Sequence, residues 1–255
     1  MTIGVIIQAR CGSTRLPSKV LLKLGNKTIL EHVIDRIKET KFKKKTIIAT
    51  TTKKIDRKII NYAKKNNCCF FTGSEKNVLN RYYKAANKFK IKTIIRICAD
   101  SPFIDPLIIE KALKIYKQNK YDYVSNIIQP TYPAGMSVEI FNFQSLQKAN
   151  NSPTTSIEKE HVTPYIYKNP KKFKIKNFKI YKKLKNYRFA IDYKEDYLAS
   201  VEIIKIINEL KITKINLSKL VRIIKKFPFI KKINIKKKNK TQILKFNNHF
   251  QNDED

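Results

Sequence analysis

The first half of the chain alternates short apolar segments with segments of helical periodicity. The apolar segments, which have the length and composition of β-strands, are 3–7, 46–51, 68–71 and 93–98. The amphipathic segments that follow them are 28–40, 55–65, 76–90 and 106–119. Each helix returns the chain to the starting edge of the sheet, so successive strands run parallel. The pattern therefore predicts an α/β fold with a doubly wound, mainly parallel sheet.

The second half of the chain is less regular and predicts a smaller mixed β extension of that sheet. We predict strands at 121–126, 137–143, 173–181 and 187–191, and helices at 156–169, 195–210 and 218–227. One domain then covers residues 1–228, and residues 229–255 form a Lys-rich tail. The tail lies beyond every motif, so we expect that removing the chain after about residue 231 leaves activity near that of the full chain.

The net charge of +35 raises the hypothesis of a nucleic-acid-binding protein. Eight of the 55 basic residues are Arg and the remaining 47 are Lys, spread over nearly every predicted helix face. No helix-turn-helix, zinc-ligand spacing or RNA-binding aromatic signature accompanies them. We therefore expect no nucleic-acid partner and regard that function as the alternative from another class.

The four cysteines include no C-x-x-C pair, and no apolar run reaches the roughly 18 residues of a membrane span. The chain also begins directly on strand-like residues, without the pattern of a cleavable signal. These features predict a cytoplasmic protein with reduced thiols and no membrane partner.

The loop at residues 8–19 is the strongest candidate for a ligand site. It follows the first predicted strand and contains two Arg, a Lys, two Ser, a Thr and a Gly. Ligands of open α/β sheets bind at the carboxyl ends of the strands, and this mixture supplies the donors that a triphosphate needs. The loop lacks both G-x-x-x-x-G-K-[ST] and G-x-G-x-x-G, so it is a phosphate loop of another kind.

Two aspartates follow predicted strands at what should be the same edge of the sheet. Asp100 comes after strand 93–98 and Asp192 after strand 187–191. Carboxylates are suitable ligands for the Mg²⁺ that accompanies a triphosphate, so we predict that both bind metal. The alternatives are structural: Asp100 caps a loop before Pro102, and Asp192 caps helix 195–210.

Five motifs together resemble the cytidylyltransferases that activate surface sugars, and most closely the spore-coat polysaccharide type. They are A-R-x-G-S-T-R-L-P-x-K-V-L at 9–21, G-S-x-x-N-V-L-x-R-Y at 73–82, R-I-x-A-D-x-P-F-I-D-P at 96–106, E-H-V-T-P-Y-I-Y at 160–167 and I-D-Y-x-E-D at 191–196. The resemblance covers residues 1 to about 210. It implies a glycosyltransferase-A-like, Rossmann-like nucleotide-binding fold, and transfer of CMP from CTP to a sugar acid or related sugar with release of pyrophosphate.

The resemblance also assigns roles to individual residues. The nucleotide-binding set is Ala9, Arg10, Gly12, Ser13, Arg15, Lys19, Ser74, Asn77, Arg81 and Asp100, with Arg10, Arg15 and Lys19 as the catalytic residues. The acceptor-binding set is Pro133, Gly135, Glu139, Glu160 and His161, and the Mg²⁺ ligands are Asp100 and Asp192. The partners are then CTP and a sugar acceptor, and a homodimer is compatible with the chain.

Several of these assignments have structural alternatives. Ser74 and Asn77 are equally suited to cap the helix that follows them, and His161 is equally suited to a structural role. Cys11 is unusual in a phosphate loop and suggests sensitivity to thiol reagents. Ser18 replaces a Gly that is common in the family. The alternative enzymatic function is a related nucleotidyltransferase that uses another NTP or a sugar-phosphate acceptor.

Overall fold

The computed structural model of the protein describes residues 2–118, 120–152, 154–181 and 184–235. Its centre is a seven-stranded sheet of order β5-β4-β1-β6-β8-β7-β9. The strands are β1 (Ile3–Gln8), β4 (Lys45–Thr51), β5 (Cys69–Gly73), β6 (Thr93–Cys98), β7 (Tyr123–Ser125), β8 (Glu139–Asn142) and β9 (Ile175–Asn177), and β2 (Lys23–Leu24) pairs with β3 (Lys27–Thr28) in a separate hairpin. Strands β5, β4, β1 and β6 are parallel, whereas β8 runs antiparallel to both of its neighbours. The doubly wound, mainly parallel sheet and its smaller mixed extension are therefore confirmed.

The helices cover both faces of this sheet. They are α1 (Ile29–Lys38), α2 (Arg57–Lys65), α3 (Val78–Lys88), α4 (Pro106–Gln118), α5 (Phe143–Asn151), α6 (Ser156–His161), α7 (Pro164–Tyr167), α8 (Lys194–Glu209), α9 (Leu217–Lys226) and α10 (Phe229–Asn234). Successive residues of each central strand point to opposite faces. Val5 and Ile7 accordingly pack with α1, α4 and α8, while Ile6 packs with α3 and α5. Both faces of the parallel strands are thus buried, as their continuous apolar sequences require.

The order of the strands creates a switch point between β1 and β6. From β1 the chain winds outward through β4 to β5, and α3 then carries it back to β6 on the other side of β1. The loops after β1 and β6 therefore diverge and leave a crevice at the carboxyl edge of the sheet. Loop 9–19 and Asp100 lie at this crevice.

The less regular half of the chain differs from its predicted elements in several places. The strand predicted at 173–181 is confined to Ile175–Asn177, and 187–191 contains only one bridge, between Ala134 and Arg188. The helix predicted at 156–169 is two short helices, because Val162 has a φ of 72° and Pro164 begins the second one. Helix α5 is absent from the predicted elements, and the strand predicted at 137–143 runs into its first residue.

Helix α10 lies within the segment that the sequence predicts to be a tail. Ile230 is 1% exposed and packs into the core, and α10 lies against α8. The Asn234 side chain donates a hydrogen bond to Asp196 in α8. The chain is therefore packed beyond the predicted boundary at 228, and the expectation that residues after about 231 are dispensable for activity stays a prediction. Residues 236–255 of the predicted tail lie outside the described residues.

The described part of the chain contains no helix with the length and apolar character needed to cross a membrane.

Candidate active site

Loop 9–19 is folded tightly onto the end of β1. The backbone N–H of Ala9 donates to the Ala49 carbonyl at 3.1 Å, which continues the pairing of β1 with β4. The Cys11 carbonyl then accepts from the N–H groups of Ser13 and Ser18, at 2.8 and 2.9 Å. Ser18 has a φ of 52°, in the left-handed region that favours glycine. Ser18 is therefore held in a conformation that glycine adopts without strain.

The buried side of the loop is anchored by Asp56. The Cys11 N–H donates to Asp56 Oδ1 at 2.6 Å, and the Thr51 hydroxyl donates to the other oxygen of the same carboxylate. Cys11 itself is 1% exposed, and burial together with Asp56 raises the pKa of its thiol to about 11. A buried, protonated thiol reacts slowly. The burial of Cys11 and the raised pKa of its thiol therefore argue against the suggested sensitivity to thiol reagents.

The Lys19 ammonium is the centre of the site. Its Nζ lies 3.0 Å from Asp100 Oδ2, 2.8 Å from Asp192 Oδ1 and 2.7 Å from the Ile191 carbonyl oxygen. Burial opposes the charged form of Lys19, but the two carboxylates outweigh it and raise its pKa above 10.5. The Lys19 ammonium and the Asp100 and Asp192 carboxylates, all three predicted to belong to the site, therefore meet at one point.

The two carboxylates reach this point from different kinds of structure. Asp100 follows β6, and the N–H of Ala99 still donates to the Gln8 carbonyl at 3.0 Å. Asp192 lies in an irregular segment, because 187–191 is not a strand. That segment is held by the Ile191 N–H, which donates to the Asp100 carbonyl at 2.9 Å. The predicted convergence is correct, although its backbone differs from the prediction.

Three cations surround the Asp192 carboxylate. Arg15 lies 3.2 Å from Oδ1, which also binds Lys19, and Arg188 lies 3.1 Å from Oδ2. Burial alone raises the pKa of a carboxylate, but Lys19, Arg15 and Arg188 together lower the pKa of Asp192 below its ordinary 3.8. The carboxylate does not cap helix α8, because that function belongs to Asp196, which accepts from the N–H of Tyr193 at 3.0 Å.

Arg10 lies at the outer side of the loop. Its NH1 is 3.7 Å from Glu75, which also pairs with Lys53 at 2.5 Å. Gly12 is exposed in the same region, and a Cβ at Gly12 would lie 3.1 Å from Glu75 Oε1. The segment after β5 therefore lies against the loop, and the sequence motifs did not single out Glu75.

Two cavities meet at the carboxylate pair. The loop-side cavity, about 340 Å³ in volume, is lined by Gln8, Arg10, Ser13, Thr14, Arg15, Lys19, Val20, Cys98, Ala99, Asp100, Glu160 and Asp192. The sheet-side cavity, about 280 Å³ in volume, shares six residues with it: Gln8, Arg15, Cys98, Asp100, Glu160 and Asp192. Its other lining residues include Arg96, Gly135, Glu139, His161 and Arg188. The two carboxylates therefore stand between two adjoining spaces.

The predicted acceptor residues are distributed unevenly around the sheet-side cavity. Glu160 and His161 line it from α6, and Gly135 lines it with a φ of 92°. A Cβ on Gly135 would lie 2.6 Å from the Ala190 nitrogen, so only glycine allows this backbone contact. Pro133 is buried and is not among the lining residues of either cavity.

Glu139 lines the sheet-side cavity but its carboxylate is already engaged. It is 2% exposed and accepts hydrogen bonds from Arg96, from the Thr163 hydroxyl and from the Tyr123 hydroxyl, the last at 2.7 Å. Arg96 also donates to the Gln8 side chain at 3.1 Å. The sequence assigned no site role to Arg96, yet this Arg–Glu pair forms one wall of the cavity.

Ser74, Asn77 and Arg81, which the resemblance places in the nucleotide-binding set, line neither cavity. The Asn77 side chain accepts from the Asn80 N–H at 2.9 Å and caps α3, while the Ser74 hydroxyl accepts from the Asn77 N–H at 3.0 Å. Asn77 therefore has the capping role that the sequence left open, whereas Ser74 accepts from the N–H of this N-cap residue and does not itself cap the helix. Arg81 is fully buried, and its NH1 donates to the Ser74 carbonyl at 2.8 Å.

The donor set at the carboxylate pair fits Mg²⁺. Mg²⁺ is usually held by one or two carboxylates together with water and substrate phosphates, rather than by a complete cage of side chains. Asp100 and Asp192 supply two carboxylates that already converge on one cation. Within the described ranges, no cluster of three or more His, Cys, Asp or Glu could hold a metal alone.

Comparison with known proteins gives consistent results along almost the whole chain. Residues 4–248 match the family model described as Cytidylyltransferase. An uncharacterised protein of Methanocaldococcus jannaschii is 38% identical over 238 residues, which cover 92% of this chain and 95% of the relative. The spore coat polysaccharide biosynthesis protein SpsF of Bacillus subtilis is 33% identical over 201 residues, or 75% of this chain and 82% of that protein.

A solved structure agrees with these relationships. A cytidylyltransferase from Leptospira borgpetersenii is 35% identical and superposes with a TM-score of 0.83, covering 90% of this chain and 96% of the other. On its family match, its fold and the arrangement of its site, the chain belongs to the cytidylyltransferase family and is an enzyme of that class.

Proposed function

We propose that this cytidylyltransferase transfers CMP from CTP to a sugar acid or a related sugar, with Mg²⁺ as cofactor, for the synthesis of a cell-surface polysaccharide. One observation carries the proposal: the Asp100 and Asp192 carboxylates meet at Lys19 between two adjoining cavities. The loop-side cavity has the basic residues that a triphosphate requires. The sheet-side cavity then holds the acceptor.

In the proposed reaction, a hydroxyl oxygen of the acceptor attacks the α-phosphorus of CTP. The new P–O bond joins CMP to the sugar, and the bond from the α-phosphorus to the bridging oxygen breaks as pyrophosphate leaves. Catalysis of this kind depends on positioning and on neutralising phosphate charge. Arg10, Arg15 and Lys19 supply positive charge from the loop, and Lys19 keeps its proton at neutral pH because its pKa is raised.

The chain would hold Mg²⁺ through Asp100 and Asp192. When bound, the ion neutralises phosphate charge and orients the triphosphate. The acceptor hydroxyl also has to lose a proton. Glu160 and His161 line the sheet-side cavity from α6, where they contact the acceptor or take this proton.

The role in polysaccharide synthesis draws on the relative in Bacillus subtilis, whose name places it in spore coat polysaccharide biosynthesis. The acceptor class rests on the adjoining cavity and on the resemblance of the motifs. A homodimer remains a prediction, and the mass in solution tests it against the 29.9 kDa of one chain.

Pyrophosphate release tests the proposed function. The purified protein is incubated with Mg²⁺ and each of CTP, UTP, GTP and ATP, against a panel of sugar acids, neutral sugars and sugar phosphates. We expect release with CTP and a sugar acid. Release only with another NTP, or only with sugar phosphates, would establish the alternative nucleotidyltransferase instead.

A further inference from the structure

Asp196 is a buried carboxylate beside the site, and the proposed reaction does not use it directly. It is 1% exposed and lies in the first turn of α8. Its Oδ1 accepts from Arg188 Nε at 2.7 Å and from the Asn234 side chain at 3.1 Å. Its Oδ2 accepts from Arg188 NH2 at 2.9 Å and from the N–H groups of Asp192 and Tyr193, each at 3.0 Å. Asp196 therefore connects four other residues.

Asp196 accepts more hydrogen bonds than the capping of a helix requires. Asp105 provides a comparison within the same chain, because it is also a buried aspartate at the start of a helix. Asp105 accepts from the N–H groups of Leu107 and Leu217, at 2.9 and 2.8 Å. Asp196 makes the equivalent backbone contacts and also binds the guanidinium of Arg188 through two parallel hydrogen bonds. A bidentate pair of this kind fixes the direction of the guanidinium.

The direction of Arg188 matters because its NH2 also donates to Asp192 Oδ2 at 3.1 Å. The two oxygens of Asp192 therefore have different partners: Oδ2 accepts from Arg188, and Oδ1 contacts Lys19 and Arg15. Asp196 thus restrains Asp192 twice, through the backbone N–H and through the carboxylate by way of Arg188. The irregular segment that carries Asp192 has one isolated bridge, between Ala134 and Arg188, in place of regular strand pairing.

We infer that Asp196 and Arg188 are positioning residues that orient the Asp192 carboxylate toward the metal and the triphosphate, an inference that rests on the proposed function. Mg²⁺ demands near-octahedral geometry, so a carboxylate that rotates freely is a poor ligand. Groups that hydrogen-bond to a metal ligand commonly change metal affinity or activity by about 10- to 100-fold when they are replaced. Asn234 extends the same network into α10, at its edge furthest from the site.

Three variants of the full chain test this inference. Asp196→Asn keeps the size of the side chain but removes its charge, and Arg188→Lys keeps the charge but not the two parallel bonds. Asp105→Asn is the matched control, because Asp105 is a buried aspartate at the start of a helix that lines neither of the two cavities. Each protein is titrated with Mn²⁺ in the presence of CTP and followed by electron paramagnetic resonance. The kcat and KM for CTP, and the melting temperature, are measured in parallel.

We expect roughly a tenfold or greater loss of Mn²⁺ affinity and of kcat in Asp196→Asn and Arg188→Lys, with a smaller change in the KM for CTP. The double variant should lose no more than the worse single one, because both residues act through the same contact. Asp105→Asn should change the melting temperature without changing Mn²⁺ affinity. If Asp196→Asn fails to fold, Arg188→Lys and Asn234→Ala give the same comparison.

Equal Mn²⁺ affinity in the wild type, Arg188→Lys and Asn234→Ala would overturn the inference, as would equal losses in Asp196→Asn and the Asp105→Asn control. Failure of the proposed function has a different signature. In that case the wild-type protein itself shows neither CTP-dependent Mn²⁺ binding nor pyrophosphate release.

Discussion

The regions that carry Asp100 and Asp192 bring equivalent side chains to one ammonium by different means. Asp100 follows β6, which pairs with β1 on one side and β8 on the other, so its backbone position is fixed by the sheet. Asp192 follows an irregular segment that is held at single points, such as the hydrogen bond from the Phe189 N–H to the Ala134 carbonyl at 2.8 Å. Its carboxylate is oriented by cations instead. The comparison indicates that a network of side-chain hydrogen bonds and ion pairs can fix the position of a site residue, as pairing with a strand does elsewhere.

Replacement of Lys19 should have the largest effect, because Lys19 is the contact that both regions share. We expect Lys19→Met to lower kcat by about 10²- to 10³-fold, the usual loss when a preorganised charge in an active site is removed. The assay is pyrophosphate release with CTP. Lys27→Met is the control, since Lys27 pairs with Asp35 at an exposed position away from the site. Normal CTP turnover in Lys19→Met would contradict the assignment of the loop.

The next test compares the two aspartates directly. Asp100→Asn and Asp192→Asn should each lower kcat by about 100-fold and raise the Mg²⁺ concentration required for half-maximal activity, since each removes a full charge from the metal site. Their stabilities should differ. Asp192→Asn removes one of the negative charges beside the buried Arg188 guanidinium and should lower the free energy of unfolding by about 1–3 kcal/mol. Asp100→Asn should lower it less.

Urea unfolding and Mg²⁺ activation curves check both parts of this prediction. A larger loss of stability in Asp100→Asn would contradict the comparison between the two regions. An unchanged activation curve in Asp192→Asn would remove that residue from the metal site.

Arg15 should contribute less than Lys19, because it is more exposed to solvent. Its side chain is 43% exposed, and it lies 3.2 Å from Asp192 and 5.0 Å from the centre of the Tyr193 ring. We expect Arg15→Ala to lower kcat/KM for CTP by about 10-fold, with little change in the melting temperature, since exposed ion pairs stabilise weakly. Steady-state kinetics at two salt concentrations check this. A variant as active as the wild type at both would exclude Arg15 from the phosphate site.

Truncation tests the support that α10 gives to the Asp192 region. Ending the chain after residue 231 removes Asn234 and its hydrogen bond to Asp196, and should cost about 1–2 kcal/mol of unfolding free energy. Ending it after residue 235 keeps that contact, and turnover near that of the full chain at physiological salt is the prediction for this form. Circular dichroism melts and CTP turnover compare the two. Identical behaviour would show that α10 does not support the site.

The pH dependence of stability should show the smallest effect. Because the folded-state pKa of Asp192 lies below its ordinary 3.8, its charge stabilises the folded protein above that pH, and the contribution is lost as the pH falls through the folded-state pKa. The difference in unfolding free energy between the wild type and Asp192→Asn should therefore be constant above about pH 5 and shrink below pH 3.8. A difference that grows on acidification would contradict the cation-stabilised carboxylate.

The parallel half of the sheet could be predicted because its strands are buried on both faces and therefore continuously apolar. Tyr187, Phe189 and Ile191 alternate like a strand for a different reason: their side chains contact the core while the backbone stays outside the sheet. The convergence of loop 9–19 with Asp100 and Asp192 could be predicted from their motifs. The roles of Arg96 and Asp196 could not, because they depend on tertiary contacts with Glu139 and Arg188.

Calorimetric titration with CTP, in the presence and absence of Mg²⁺, tests the central claim most directly. The claim is that Asp100, Asp192 and the basic loop form one site for a metal-bound triphosphate. We expect the wild type to bind CTP at least about tenfold more tightly with Mg²⁺ than without it, and Asp192→Asn to lose this difference. Equal affinity with and without Mg²⁺ in the wild type, or an undiminished Mg²⁺ effect in Asp192→Asn, would contradict the claim.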